Sequence, residues 1–292
     1  MALTRTPTGC PFNSVEYARG LSHLGVPRTE PGTAITVLSR PTPRGEGIDG
    51  IGPWPYLWLD EVAEESLRRG FRDLVTVTAV SQPGYIPDQR HGDVRLLKHH
   101  YGYDPALPRP AQSPRSQRRL DRCRSMAVFE EITDPGERMA VFPLYGDLAR
   151  RRGLTGGFFD LPRDHFDVLA HAPDSVTYRV RAGDRVGAVA CAVRVADRLQ
   201  VLHTIPTEDG LTWNASYLLM DGLQSVADQW GLPVFFGGLP DSASDGLRTF
   251  KERWSNKTEP VYLFRIVNDP EAYARLCRGV GRQDFFPAYR QT

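Results

Sequence analysis

The 292-residue sequence contains no apolar run close to the ~20 residues that a membrane-spanning helix needs, and its opening stretch, MALTRTPTGCPFNS, lacks the apolar centre of a secretory signal. No membrane partner is therefore expected, and the cytoplasm is the expected location. Cysteine is scarce. Cys10, Cys123, Cys191 and Cys277 lie far apart without a CxxC pair, which argues against a zinc site and against a disulfide framework. Cys191 falls inside the apolar run VGAVACAV and reads as core. Excess charge is also lacking: a net charge of +1 gives no whole-molecule field toward nucleic acid, so DNA is not an expected partner, although a local patch remains open. The Walker loop and the GxSxG elbow are absent, and neither HGD at 91–93 nor the separate His165 and His171 has partners at metal-ligand spacing. No metal and no cofactor is expected.

One local patch is present. SPRSQRRLDRCRS carries Arg115, Arg118, Arg119, Arg122 and Arg124 at spacings of three and four, which would line most of the guanidinium groups along one helical face. That face reads either as a solvated connecting helix or as a surface that meets phosphates. The rest of the chain reads as a mixed α/β protein. Residues 1–30 have no sustained period and predict an irregular arm. Residues 31–125 alternate short β-rich runs (AITVLS, LVTVTAVS, DVRLLKHHYGYD) with the helix DEVAEESLRRG, in which Asp60 is a plausible cap and Arg68 and Arg69 suit the last turn. From 126 to 292 the predicted order is a strand, two helices, a three-stranded antiparallel meander (VTYRVRAGDRVGAVACAVRVADRLQVLHTIP), then helix, strand, helix, strand. Leu219, Leu223, Val226 and Trp230 recur at helical spacing before the stop at Gly231.

That order of elements resembles the Gcn5-related N-acetyltransferase (GNAT) fold. The stretch WNASYLLMDGLQSVADQWGLPVFFGGLPDSASDGLRTFKERWSNKTEPVYLFRI is similar to the C-terminal lobe of the Fem peptidyltransferases, with Gly246, Leu247, Phe250 and Lys251 standing at that family's Gly-Leu and Phe-Lys positions. LLKHHYGYD, the arginine stretch and FPLYGDLARRRG resemble the family's passage between lobes, and GIGPWPYLW resembles a turn of its first lobe. The resemblance implies a double-lobed GNAT-like α/β fold with a mixed sheet: an arm over 1–30, a truncated first lobe over 31–125 and a complete second lobe over 126–292. It implies an acyl- or aminoacyltransferase of bacterial type that forms an amide bond on the amine of a small molecule or precursor. The implied donor is an activated acyl group, with aminoacyl-tRNA as the family's choice and Arg115, Arg118, Arg119 and Arg122 as its phosphate contacts. A CoA- or carrier-protein-dependent N-acyltransferase and a GNAT-shaped binding protein without catalysis are the alternatives.

Acetyl-CoA enzymes of this fold use an Arg/Gln-x-x-Gly-x-Gly/Ala loop whose backbone N–H groups hold a pyrophosphate. Here PTEDGLTWNAS stands in that place, with one glycine, Gly210, beside Glu208 and Asp209, whose charges would repel the group. The Phe-Lys resemblance makes Lys251 the expected electrostatic residue near the reacting carbonyl, with Phe250 and Arg248 beside it; a plain surface lysine is the competing reading. His203 and Thr204 end the strand LQVLHT where strands of this fold splay, so His203 is a candidate base and also a candidate for a buried, hydrogen-bonded histidine. Trp213, Asn214 and Tyr217 open the next helix and could line an acceptor pocket, Asn214 alternatively serving as a cap. Strand alternation sends one of His99 and His100 inward, and Lys98 or Tyr101 would accompany it toward the substrate.

Overall fold

The computed structural model describes residues 10–33, 35–52, 59–156, 159–195, 197–239, 244–280 and 286–290; the aromatic turn at 53–58 and the first nine residues of the arm lie outside them. The chain divides into a central unit, residues 99–259, and a terminal unit made of residues 10–98 together with 260–290.

The terminal unit begins where the sequence reads as irregular, and that reading is corrected for residues 10–30. Ser14 caps a short helix α1 (Val15–Arg19) by accepting the Tyr17 N–H at 3.1 Å. Phe12, Tyr17, Ala18 and Leu21 are buried, so apolar spacing of one turn fixes the segment. β1 (Val26–Thr29) then pairs antiparallel with β2 (Thr36–Pro41), which pairs antiparallel with β3 (Ile48–Ile51). Helix α2 (Glu61–Gly70), capped by Asp60 as its sequence implies, buries Ala63 and Leu67 against Ile35, Val37, Phe71 and Leu74. β4 (Thr76–Val80) lies parallel to β3. β5 (Asp93–Tyr103) carries the chain across the division at 98/99.

The central unit contains α3 (Pro114–Arg124), β6 (Val128–Ile132), α4 (Pro135–Arg138), α5 (Val141–Arg152), α6 (Arg163–His171), β7 (Ser175–Ala182), β8 (Arg185–Val195), β9 (Arg198–Pro206), α7 (Glu208–Thr212), α8 (Ala215–Trp230), β10 (Val234–Gly238) and α9 (Asp245–Arg253). Its strands run in the order β5-β10-β9-β8-β7-β6, antiparallel throughout except that β9 and β10 are parallel neighbours. The expected boundary at 125/126 instead falls inside this unit. His100, Gly102 and Tyr103 pair with β10, and Leu120 and Cys123 pack α3 into the same core as α8, so both segments belong with the second set of strands. Ala188, Ala190 and Ala192 of β8 face that core, and their small size lets α8 lie close to the sheet. Gly222 of α8 makes the closest approach: a Cβ there would sit 2.3 Å from the Phe129 ring.

β11 (Lys257–Val267) leaves the central unit at 259/260, and its Leu263–Val267 stretch pairs antiparallel with β4. α10 (Pro270–Leu276) buries Ala272 and Leu276 with Val75 and Tyr289. The chain closes on Asp49, a buried carboxylate that accepts from Thr76 Oγ1 at 3.0 Å, Tyr289 Oη at 2.5 Å and Arg290 Nε at 2.7 Å.

Candidate active site in the central unit

β9 and β10 stay paired only at Leu199↔Val234 and Gln200↔Phe235, although β9 runs on to Pro206 and β10 to Gly238. The two parallel strands therefore part at their carboxyl ends, the place where ligands enter an α/β sheet. His203 sits on β9 beyond that parting. Across β8, Val201 pairs with Ala192 and His203 with Cys191, which leaves Leu202 as an extra residue. Simple alternation would put Val201 and His203 on one face; the bulge turns His203 away from α8 and toward α5 and α6.

There His203 meets a second histidine. Its Nε2 lies 2.9 Å from Nε2 of His165 on α6, and the Tyr145 and Phe166 rings stand 5.4 Å from its own. One ring must donate and the other accept. Burial holds the His203 imidazole down at about 4, although part of the residue reaches solvent, so its ring is neutral at pH 7. Tyr145 gives its hydroxyl to the Phe159 carbonyl at 2.9 Å, and burial pushes it up to about 12. His165 is thus not the isolated histidine of its sequence neighbourhood. Helical spacing could have found it: His165, Phe166, Leu169 and Ala170 are the buried residues of α6, and they form one stripe.

Lys251, the expected electrostatic residue, is engaged by the backbone of β10. Its Nζ donates to the carbonyls of Phe236, Gly237 and Gly238 at 2.8, 3.0 and 2.8 Å. An ammonium has three protons, and three carbonyls take them. Successive carbonyls of an extended strand point to alternate sides, so this convergence requires the backbone to curl, and Gly237 supplies the curl at φ +79°. Lys251 thereby fixes the end of β10. Phe250 packs on Tyr217 (ring centroids 5.6 Å apart) and on the core, while Arg248 is exposed.

The segment standing in for a pyrophosphate loop is folded on itself. Thr207 caps α7 by accepting the Gly210 N–H at 2.9 Å, and its own N–H goes to the Gly187 carbonyl at 3.0 Å. A Cβ on Gly210 would lie 1.8 Å from that same carbonyl oxygen, so the single glycine of the segment is there for close packing on β8. Asp209 faces Arg185, whose guanidinium hydrogen bonds, with that of the Trp213 indole, hold the carboxyl below its usual range. The repulsion expected from Asp209 is thus largely neutralised, and the amides of Thr207 and Gly210 are occupied. Trp213 is buried over Gly187. Asn214 takes the N-cap position of α8 with φ 63° and makes no side-chain cap bond, so it contributes backbone tolerance of the left-handed region and not the expected cap.

Tyr217 is also buried, and its hydroxyl accepts from Arg119 Nη1 at 2.8 Å and from Arg253 Nη1 at 3.0 Å. Arg119 therefore turns inward, away from Arg115, Arg118 and Arg122, which are exposed on the side of α3 opposite its buried Ser116, Leu120 and Cys123. Arg124 pairs with Asp221 at 2.8 Å. Thr204 is half-buried opposite Ala190. Of the β5 residues, His100 is buried and His99 exposed, as alternation requires; Tyr101 is half-buried; Lys98, on the terminal-unit side of the division, is lowered by burial. Among the described residues no three His, Cys, Asp or Glu side chains come together as metal ligands, and no helix is long and apolar enough to cross a membrane.

No family model matches the sequence, and no curated protein matches it. Solved structures do match. FemX is similar over 91% of this chain and 94% of its own at a TM-score of 0.64 and 11% identity. L-PGS of Bacillus licheniformis matches over 95% and 99% at 0.58 and 13%. A C-terminal DUF2156 domain from Agrobacterium fabrum, ascribed to a lysylphosphatidylglycerol synthetase, matches over 90% of each chain at 0.57 and 12%. The chain has a mixed α/β, GNAT-like fold of the Fem type.

Proposed function

We propose that the chain is an acyltransferase that builds an amide on the amine of a small molecule or precursor, with aminoacyl-tRNA as donor. The observation that carries the choice of donor is the packed segment 206–214: the amides of Thr207, Gly210, Leu211 and Asn214 bond within the protein, Gly210 lies against β8, and Glu208 and Asp209 occupy the first turn of α7, an arrangement unlike the glycine-rich cradle of a CoA pyrophosphate. The similarity to FemX and to lysylphosphatidylglycerol synthetase structures supports the fold this reading needs, and the resemblance of the Gly-Leu and Phe-Lys positions to the Fem family implies aminoacyl-tRNA as donor.

In this reading the amine nitrogen attacks the ester carbonyl where β9 and β10 part, and the ester oxygen leaves as the hydroxyl of the donor. The proton lost by the amine passes through His203 to that oxygen. A neutral imidazole backed by a second imidazole can accept the proton for the life of the tetrahedral intermediate. Lys251 acts as a positioning residue, holding the β10 end that forms one wall. Transfer of a labelled acyl group to a panel of amines, with charged tRNA pools, acyl-CoAs and acyl-carrier proteins offered separately, tests the proposal. Turnover with charged tRNA alone is expected, together with a CoA dissociation constant above roughly 100 µM. Micromolar CoA binding with turnover from acyl-CoA would replace tRNA as the donor.

A further inference from the structure

Two arginines from different helices converge on one phenol in the central unit. Arg119 of α3 and Arg253 of α9 each donate to the Tyr217 hydroxyl, and each guanidinium carbon lies over the same ring, at 5.6 and 5.9 Å from its centroid. The two Nη1 atoms are therefore less than about 6 Å apart, and like charges at that separation repel. Carboxylates neutralise Arg109, Arg124, Arg179, Arg181 and Arg185 in this unit. Among the described residues, none lies within 4.0 Å of Arg119 or Arg253. Tyr217 is saturated as an acceptor by the two guanidinium groups, so its own proton must point elsewhere, and no described group takes it. Two half-buried cations and one hydroxyl proton thus share a small region and lack an acceptor.

We infer that Arg119, Tyr217 and Arg253 form a phosphate subsite, filled by a phosphodiester of a single-stranded RNA end. Guanidinium groups bind phosphate through paired N–H donors, and the hydroxyl adds a third. An RNA backbone is the source because the same helix continues the charge outward: Arg115, Arg118 and Arg122 are exposed without a carboxylate partner among the described residues and form a ridge one residue or one turn from Arg119. A polyanion can follow that ridge into the subsite; a lone small anion gains nothing from it. The inference rests on the tRNA-donor reading and deepens it, replacing the acceptor-pocket role expected of Tyr217.

Binding measurements test it without turnover. A fluorescent CCA-ended RNA hexanucleotide, inorganic phosphate and CoA are titrated against the full chain, its Arg253→Gln, Arg119→Gln and Tyr217→Phe variants and the Arg115/Arg118/Arg122→Gln triple variant. Circular dichroism and melting temperature check each fold. RNA affinity should fall about tenfold in each single arginine variant and severalfold in Tyr217→Phe, with the log–log salt slope shallower by about 0.7 per lost arginine. Inorganic phosphate should compete with RNA in the wild type and not in Arg253→Gln. Unchanged RNA affinity in folded Arg253→Gln and Arg119→Gln would overturn the subsite, even where the triple variant loses RNA and the donor reading stands. Arginine-dependent binding of CoA without binding of RNA would overturn the RNA source. Failure of charged tRNA as a substrate with the arginine-dependent RNA binding intact would instead overturn the donor reading alone.

Discussion

At the scale of single residues, the histidine pair sets a pH dependence whose sign can be worked out. His203 in the folded chain is held near 4, whereas an unfolded histidine titrates near ~6.5. Between those values the unfolded state binds the extra proton, so stability is full above about pH 6.5 and is lost as the pH falls toward 4. The loss amounts to up to about 3 kcal/mol, and urea denaturation at pH 7.5, 6, 5 and 4.5 should reveal it. His203→Gln should flatten that dependence. A wild-type curve as flat as the variant's would show that His203 titrates normally. Lys251 gives a second expectation. Lys251→Met leaves three carbonyls of Phe236, Gly237 and Gly238 without their donor, so melting temperature and acyl transfer should fall together, with a stability cost of about 1–2 kcal/mol at this half-buried site. Lys251→Arg should recover part of both, because a guanidinium can still reach two carbonyls; a variant with full stability and no turnover would return Lys251 to direct contact with the reacting group.

At the scale of elements, the contact between α7 and β8 is backbone on backbone. Gly210→Ala would place a methyl group on the Gly187 carbonyl, which no rotamer relieves, so α7 must lift and the chain should lose about 1–3 kcal/mol or more. Gly146→Ala, which meets nothing within 4 Å inside α5, should be neutral or stabilising, and paired thermal melts of the two variants test the contrast. The segment would then also expose its amides, and CoA binding should be remeasured in the Gly210 variant. Periodicity made most elements legible: the α8 stripe and the meander follow from spacing and turn residues, whereas the splay of β9 from β10 is what the resemblance to the GNAT fold implied. The site was less legible. A bulge at Leu202 is invisible to alternation, and it alone brings His203 to His165. The inward turn of Arg119 depends on Tyr217, 98 positions away, and no local pattern encodes a meeting of that kind. α1 was missed because five residues are too few for a period, and its stability comes from a cap and the burial of Phe12 and Leu21.

At the scale of the whole molecule, the two units are unlike in how the chain builds them. The central unit is one continuous stretch, 99–259, while the terminal unit needs residues from both ends. Its core cluster joins Ile35, Leu59, Leu67 and Phe71 to Phe264 and Ile266, and Asp49 finds Tyr289 and Arg290 only at the close of the sequence. During synthesis, residues 10–98 are therefore completed only after the central unit has been made. At ~5–20 residues per second, residues 10–98 wait roughly ten to thirty seconds for β11, with β4 paired to β3 on one side and lacking its neighbour on the other. Ribosome-bound chains stalled with 259 residues outside the exit tunnel should yield a protease-resistant central fragment and a digested N-terminal one, and chains released at full length should protect both. Equal protection at both lengths would mean that residues 10–98 close without the C-terminal strand. Otherwise the newborn protein carries an unfinished sheet edge from the synthesis of β4 until β11 emerges, and its yield in a cell should depend on whatever shields that edge in the interval.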